Sequence, residues 1–336
     1  MENIKLIAQN MVREGKGILA ADESTPTCTK RFQALQLEST EATRKSYRST
    51  LFTSENLEQY ISGVILFDET FNQTIEGSNT TIPQYLKEKG ILAGIKVDTG
   101  AKVLANHNEE KITEGLDGLR DRLIAYRKKG ASFAKWRAVI TINSSAPSEG
   151  CIYANAHALA RYASLCQEND IVPIVEPEVL MEGNHTIQDC YNATSKSLEI
   201  VFRQLNLLKV NLEGIVLKPN MVLPGLNSNE LMSNEIIAKM TFNVLKEHVP
   251  EKVPGIAFLS GGQSSDLAAA RLNNLNKLYM NQCPWKLTFS YGRALQEDAL
   301  KKWGGSNRED AQKALMNRAE SNSLATNGKA TDLINS

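Results

Sequence analysis

The sequence predicts an α/β protein built as a single (β/α)8 barrel, also called a TIM barrel. Eight short apolar segments with the character of buried strands alternate with longer helical segments along the 336 residues. No change in composition marks a linker or a second domain. Polar and charged residues collect where the apolar segments end, and barrel enzymes carry their chemistry at that rim.

The predicted elements begin with an amphipathic N-terminal helix from about Ile4 to Met11. Predicted strands cover residues 17–21, 63–67, 91–97, 132–140, 171–178, 214–218, 255–260 and 286–290. Predicted helices cover residues 83–89, 111–129, 154–169, 187–209, 229–248, 265–279 and 308–323. We expect the barrel domain to span residues 1–325 and a short flexible tail to occupy residues 326–336.

Composition argues against several classes of partner. Lys+Arg and Asp+Glu both number 38, so no bulk charge favours nucleic acid or a membrane surface, and an anionic ligand needs a local cluster of positive charge. No apolar run approaches the ~18 residues of a membrane span, and the N-terminal helix does not resemble a signal peptide. These features predict a cytoplasmic protein.

The cysteines and histidines predict neither disulfides nor a metal site. The five cysteines are scattered, odd in number and without a C-x-x-C pair, as expected for reduced thiols. The four histidines are well separated and form no H-x-H or H-E-x-x-H motif. We therefore expect no metal.

Lys218 is the first candidate catalytic residue. It ends the apolar segment Gly214 to Leu217, and Pro219 follows it and stops the strand. A desolvated lysine is the nucleophile that forms Schiff bases with carbonyl compounds. The alternative is an ordinary lysine that extends from a strand end into solvent.

Two other predicted strands each carry a pair of like charges on one face. Lys135 and Arg137 lie two residues apart, as do Glu176 and Glu178, so each pair points to the same side of its strand. The cations suit an anion site, the alternative being an edge strand protected by charge. Paired carboxylates near lysines suit acid–base work, the alternative being simple charge balance.

Three rim segments could bind phosphate, because hydroxyls, cations and glycine-rich turns are good partners for phosphate oxygens. The segment after the first strand could instead be a helix cap. The candidates are Ser24, Thr27, Lys30 and Arg31 after the first strand, Ser260, Gly261 and Gly262 after the seventh, and Ser290, Gly292 and Arg293 after the eighth. Phosphate often lies after strands seven and eight of such barrels.

Taken together, seven motifs resemble those of class I, Schiff-base fructose-bisphosphate aldolases, in order along nearly the whole chain. They are Gly-Ile-Leu-Ala-Ala-Asp-Glu-Ser at 17–24, Gly-Ile-Lys-Val-Asp at 94–98, Ala-Lys-Trp-Arg at 134–137, Val-Glu-Pro-Glu at 175–178, Leu-Lys-Pro-Asn-Met at 217–221, Phe-Leu-Ser-Gly-Gly-Gln at 258–263 and Phe-Ser-Tyr-Gly-Arg-Ala-Leu-Gln at 289–296. Any one of them alone would be weak evidence.

The resemblance implies reversible cleavage of fructose 1,6-bisphosphate to two triose phosphates, in glycolysis and gluconeogenesis, without metal or other cofactor. Lys218 would form the imine, with its pKa lowered by Lys135 and Lys96. Glu176 would shuttle protons, Glu178 would order that network, and Asp22 would take the C4 hydroxyl proton.

The same resemblance implies two phosphate sites and a homotetramer. One site would comprise Ser260, Gly261, Ser290, Gly292 and Arg293, and the other Ser24, Thr27, Lys30, Arg31, Lys96 and Arg137. The alternatives are a Schiff-base lyase or transferase for another sugar phosphate, and a catalytically silent homologue that binds proteins.

The sequence departs from the family pattern in two places. Animal and plant members generally end in an arm with a terminal tyrosine that assists enamine protonation, whereas no tyrosine follows Tyr291 here. Another acid, such as Glu176, is then expected to protonate the enamine, and the preference for the bisphosphate over the 1-phosphate is open. Pro26 also stiffens the loop beside Thr27, where glycine is more usual.

Overall fold

The structure is a computed structural model that describes residues 2–107 and 109–330. Its strands are β1 (Gly17–Ala21), β2 (Ile61–Leu66), β3 (Leu92–Lys96), β4 (Gly100–Val103), β5 (Lys111–Glu114), β6 (Phe133–Ile140), β7 (Val172–Val179), β8 (Val216–Leu217), β9 (Gly255–Phe258) and β10 (Lys286–Tyr291). All except β4 and β5 form a closed parallel barrel in the spatial order β1–β10–β9–β8–β7–β6–β3–β2. The predicted (β/α)8 fold is therefore confirmed.

Helices surround the barrel and separate its strands along the chain. They are α1 (Glu2–Met11), α2 (Thr25–Gln33), α3 (Glu41–Phe52), α4 (Asp68–Phe71), α5 (Ile82–Glu88), α6 (Leu119–Lys128), α7 (Glu149–Glu168), α8 (Ile187–Leu207), α9 (Asn234–His248), α10 (Ser265–Tyr279), α11 (Arg293–Trp303) and α12 (Arg308–Thr326). No helix in the described ranges is long and apolar enough to cross a membrane.

Two cores hold the barrel together. One lies between the strands and the surrounding helices, and the other fills the barrel interior. The apolar face of α1 joins the interior core through Ile4, Ala8 and Met11. Because β1 alternates between the cores, with Ile18 and Ala20 inside and Leu19 and Ala21 outside, the strand is apolar at every position.

Two predicted helices were wrong at their starts, which were placed too early, and the one over residues 229–248 begins only at Asn234. Residues 111–129 were expected to be a single helix, but Lys111–Glu114 forms β5, which pairs with β4 as an antiparallel hairpin. Gly115 and Gly118 follow with φ angles of +124° and +67°, which interrupt helical geometry before α6 begins at Leu119. β-branched Ile112 and Thr113 also favour a strand.

The start of the expected C-terminal tail packs on the barrel. Thr326 ends α12 and is buried, and the N–H of buried Ala330 donates to Asn273 Oδ1 at 2.9 Å. The rest of the expected flexible tail, residues 331–336, lies outside the described residues, so its flexibility stays a prediction.

Close packing in the barrel interior requires a glycine on β3. A Cβ at Gly94 would lie 2.2 Å from Cε2 of the buried Phe133 ring on β6. We expect Gly94→Ala to destabilise the fold by ~1–3 kcal/mol, because the ring is fully buried and an added methyl overpacks a close-packed core. A lowered thermal unfolding midpoint would verify this. Gly150→Ala is the control, since its Cβ would meet only the tip of His107 in the first turn of a helix. Equal midpoints for the two variants would contradict the prediction.

Candidate active site

Four charged side chains point into the barrel interior, two from within their strands and two from the residues directly after their strands. Asp22, Lys135, Glu176 and Lys218 lie on or directly after β1, β6, β7 and β8. Two residues before each of them, the same strand face carries a member of the apolar interior core: Ala20, Phe133, Ile174 and Val216. The period of two in a strand therefore directs all four charges into the mouth of the barrel.

These side chains form a chain of alternating charge. Lys135 Nζ lies 3.0 Å from Asp22 Oδ2 and 3.4 Å from Glu176 Oε2, and Lys218 Nζ lies 3.3 Å from Glu176 Oε1. Each cation is thus next to a carboxylate, as a buried charge requires. Glu176 Oε2 accepts no hydrogen bond from the described residues, so it can receive one from a ligand.

Burial is the main reason why the pKa of Lys218 is lowered. The residue is 3% exposed. The negative charge of Glu176 opposes the shift, and the positive charge of Lys135 adds to it. The pKa of Lys218 is thus lowered, as expected, but the largest cause is burial. Of the two lysines expected to contribute, Lys135 does so. Lys96 instead acts on the pKa of Asp22. A lowered pKa increases the fraction of neutral, nucleophilic amine.

Asp22 and Lys135 stabilise each other in their charged forms. Burial alone would raise the pKa of Asp22, but Lys135 and Lys218 outweigh it and hold that pKa well below its usual range. Burial alone would lower the pKa of Lys135, but Asp22 and Glu176 outweigh it and raise that pKa. The lysine that stays charged is therefore Lys135, and the one that more readily loses its proton is Lys218.

Glu178 does not touch the lysine cluster. Its carboxylate accepts a hydrogen bond from Arg137 Nε across the β6–β7 pair, and Arg137 is partly exposed at the rim. Lys96 is held by Asp98, with Nζ 2.6 Å from Oδ1. Asp98 is buried and also accepts hydrogen bonds from the main-chain N–H groups of Gly100 and Arg137. Two expected phosphate ligands are therefore paired with carboxylates here.

A second carboxylate network supports the end of β1. Glu23 accepts hydrogen bonds from Arg31, from Gln296 Nε2 at 3.0 Å and from Arg48 Nη2 at 2.8 Å. Arg48 is fully buried and also donates to Thr70. The network holds the residue next to Asp22 in place. Sequence reasoning assigned no role to Asp98 and Gln296, which end two of the quoted motifs, and it missed Arg48, which no spacing signal marks.

The first candidate phosphate segment lies at the start of α2. Ser24 is the residue before the helix, and its Oγ lies 3.1 Å from Thr27 Oγ1. Thr27 and Lys30 are exposed, and Arg31 is engaged by Glu23. Ser24 makes no side-chain cap to the helix, so the simple cap alternative is not realised.

The second candidate segment joins the ends of β9 and β10. Gly261 and Gly262 have φ angles of +55° and +90°, which favour glycine, and Arg293 Nη2 donates to the Gly262 carbonyl at 2.8 Å. Ser290 is buried, and its hydroxyl has no hydrogen-bond partner among the described residues. Gly292 precedes α11, whose first N–H groups have no partner within the helix. Free donors therefore collect here, as an anion requires.

The part of the chain that the structure describes contains no cluster of three or more His, Cys, Asp or Glu side chains arranged to hold a metal ion. The charges at the barrel mouth are instead paired lysines and carboxylates.

The fold and this cluster are those of a (β/α)8-barrel enzyme with a buried lysine among carboxylates. The family model of class I fructose-bisphosphate aldolase matches residues 3–335. The chain therefore belongs to the class I fructose-bisphosphate aldolases, and its activity is that of this glycolytic lyase family.

Individual relatives agree with this assignment. The chain is 49% identical over 332 residues to a probable class 1 fructose-bisphosphate aldolase of Xanthomonas campestris, with 98% of each chain covered. It is 51% identical over 316 residues to a cytosolic aldolase of Arabidopsis thaliana, covering 94% of this chain and 80% of the relative. A structure of fructose-bisphosphate aldolase from Plasmodium falciparum, in complex with TRAP and a small-molecule inhibitor, matches with a TM-score of 0.95 and 47% identity. The match covers 98% of this chain and 95% of the Plasmodium chain.

Proposed function

We propose that Lys218 is the nucleophile that cleaves fructose 1,6-bisphosphate. The observation that carries this proposal is its buried amine, 3.3 Å from Glu176, with a pKa lowered by burial. Nζ attacks the C2 carbonyl carbon, and the carbonyl oxygen becomes the hydroxyl of a carbinolamine. Loss of water then gives an iminium, in which C2 is bonded to Lys218.

Glu176 is proposed to move the protons of the carbinolamine step. Its carboxylate lies between two lysines, and Oε2 accepts no hydrogen bond from the part of the chain that the structure describes. A protonated Glu176 gives its proton to the departing hydroxyl, and the carboxylate takes one back when water returns for hydrolysis. Lys135 stays cationic throughout and neutralises the carboxylates on either side. Glu178 acts indirectly, by holding Arg137 at the rim.

Asp22 is proposed to accept the C4 hydroxyl proton as the C3–C4 bond breaks. The lowered pKa of Asp22 makes it an ionised but weak base, because Lys135 and Lys218 stabilise its charge. The reaction is therefore driven by the iminium, which receives the bond electrons and becomes an enamine. Glyceraldehyde 3-phosphate leaves first. A protonated Glu176 gives its proton to C3 of the enamine, and attack of water on the resulting iminium releases dihydroxyacetone phosphate and the free amine of Lys218.

The substrate phosphates are proposed to occupy the two rim segments described above. One site is supported by the Ser290 hydroxyl, which has no partner in the described ranges, by the glycines at 261 and 262 and by the exposed Arg293. Ser24, Thr27 and Lys30 support the other, with Arg31, Lys96 and Arg137 at present paired to carboxylates. A phosphate dianion could replace those carboxylates as the partner of the cations.

Arg293→Ala is expected to weaken substrate binding more than it slows catalysis. Loss of one charge-assisted contact to phosphate should raise KM by about tenfold, with a smaller change in kcat. Steady-state kinetics would measure both. Arg308→Ala, on the exposed start of α12, provides an arginine control outside the rim. Unchanged KM in Arg293→Ala would count against this phosphate site.

Borohydride trapping tests the nucleophile directly. The protein is incubated with dihydroxyacetone phosphate and a chelator, reduced, digested and analysed by mass spectrometry. We expect a reduced triose adduct on Lys218. An adduct on Lys135 or another lysine would reassign the nucleophile. Absence of any adduct, with turnover intact, would argue against the imine route.

The chain is also proposed to act as a homotetramer in the cytoplasm. The family resemblance supports the tetramer, and similarity to the cytosolic Arabidopsis aldolase supports the compartment. Sedimentation velocity of the purified protein would test the assembly, and a species of about one chain mass at working concentration would refute it. Microscopy of a tagged chain would test the location.

A further inference from the structure

A cleft separate from the lysine cluster lies between the loops that follow β6 and β7. It has a volume of about 550 Å³, within the usual range of small-molecule sites. The polar residues that line it are Asn143, Ser144, Asn184, His185, Asn192 and Lys196, and we call it the His185 cleft. Ile142, Ala146 and Ala193 provide an apolar surface. None of these residues has a role in the proposed reaction.

His185 gives the cleft its unusual chemistry. The residue is 6% exposed, yet neither ring nitrogen has a hydrogen-bond partner among the described residues. Burial lowers the pKa of His185, and the negative charges of Asp189, Glu182 and Glu230 and the nearby Leu223 main chain oppose this only in part. A neutral imidazole offers one N–H donor and one acceptor nitrogen. A buried polar group with both positions open is costly unless a ligand satisfies it.

Two other polar groups of the cleft, the Asn143 amide and the Lys196 ammonium, can bind an anion. Asn143 Oδ1 already accepts from Ser145 N and Ala146 N, both at 2.9 Å, so its NH₂ is the group left for a ligand. Lys196 contributes a positive charge, and its one ion pair within the described ranges is a partly exposed contact with Glu199 at 3.2 Å. The one carboxylate in the lining, Asp189, is engaged by Thr186 at the start of α8.

We propose that the His185 cleft binds a small hydroxylated anion. Lys196 and the Asn143 amide would hold the anionic group, and His185 would both donate to and accept from a ligand hydroxyl. The carbon skeleton would lie on the apolar surface at Ala146 and Ala193. Either a phosphate ester or a hydroxy acid has this chemistry. The proposal stands whether or not Lys218 is the nucleophile.

Histidine-selective NMR tests the proposal at the cleft itself. Protein carrying ¹³C at histidine Cε1 has four histidine positions, and His185→Gln identifies the resonance of His185. It is titrated with glycerol 3-phosphate, gluconate and inorganic phosphate. We expect a saturable shift with at least one hydroxylated anion. A shift with glycerol 3-phosphate assigns a phosphate ester, and one with gluconate assigns a hydroxy acid. An equal response to inorganic phosphate would overturn the role of the hydroxyl.

Matched lysine variants test the charge. Lys196→Met should lower the affinity measured in the titration by about tenfold, as expected for loss of one charge-assisted contact. Lys239→Met, on the exposed face of α9, should leave that affinity unchanged. Equal affinity in the Lys196 variant, or no shift with any probe, would overturn the proposal. A resonance that responds only to protein dilution would do the same and assign the cleft to an interface between copies of the chain.

Discussion

Replacing Lys218 with methionine is expected to reduce turnover by at least about a thousandfold. Methionine has similar length and fills the same buried space, but it has no amine to form an imine. Glu176 keeps Lys135 at 3.4 Å, so the substitution does not leave a buried carboxylate without a cation. A coupled assay of triose phosphate release would measure kcat, and circular dichroism would verify the fold.

Lys16→Met is the matched control for that variant. Lys16 lies directly before β1, at the opposite end of the barrel, where its ammonium bonds the Glu58 carbonyl. The same chemical change there should leave kcat close to that of the unsubstituted protein. Substantial turnover in folded Lys218→Met would mean that another group attacks the carbonyl. Equal losses in both variants would mean that the effect comes from folding.

The positions of the central charges were predictable because they depend on local periodicity. Lys135 and Glu176 each follow a residue of the interior core by two positions, so a correctly placed strand determines where they point. The strand ending near Lys218 was predictable for the same reason, although β8 itself covers only Val216–Leu217. Each of these inferences needs no information from distant parts of the chain.

The partners of the rim cations were not predictable, because they depend on tertiary contacts. The pairing of Arg31 with Glu23, and the buried support from Arg48, join β1, α2 and α3. The β4–β5 hairpin was missed because its strands are short and largely exposed, which removes the apolar pattern that marks a strand. His185 likewise carries no sequence signal, since its significance is that it lines a cleft and has no hydrogen-bond partner for its ring among the residues described.

The role proposed for Glu176 leads to the second large effect. Glu176→Gln should lower kcat by about 10²–10⁴-fold, because an amide of the same shape cannot give or take the protons of the carbinolamine step. The substitution also removes the negative charge that raises the pKa of Lys218. That pKa should therefore fall further, and the amine should stay neutral to lower pH. Imine formation in the variant should be slower at every pH. The acid limb of its pH–rate profile, where the rate falls because the amine is protonated, should move to lower pH.

Rapid mixing with dihydroxyacetone phosphate, followed by a borohydride quench at a series of pH values, separates the two effects. The maximal rate of adduct formation on Lys218 reports the efficiency of proton transfer. The pH at which the rate is half-maximal reports the pKa of the Lys218 amine. Glu178→Gln is the control, because its carboxylate bonds Arg137 and is not among the charges that shift Lys218. The acid limb of the pH–rate profile of Glu178→Gln should stay where it is in the unsubstituted protein. If the acid limb of Glu176→Gln stayed in place or moved to higher pH, the carboxylate 3.3 Å from Lys218 Nζ would not be the charge that sets the reactivity of the amine.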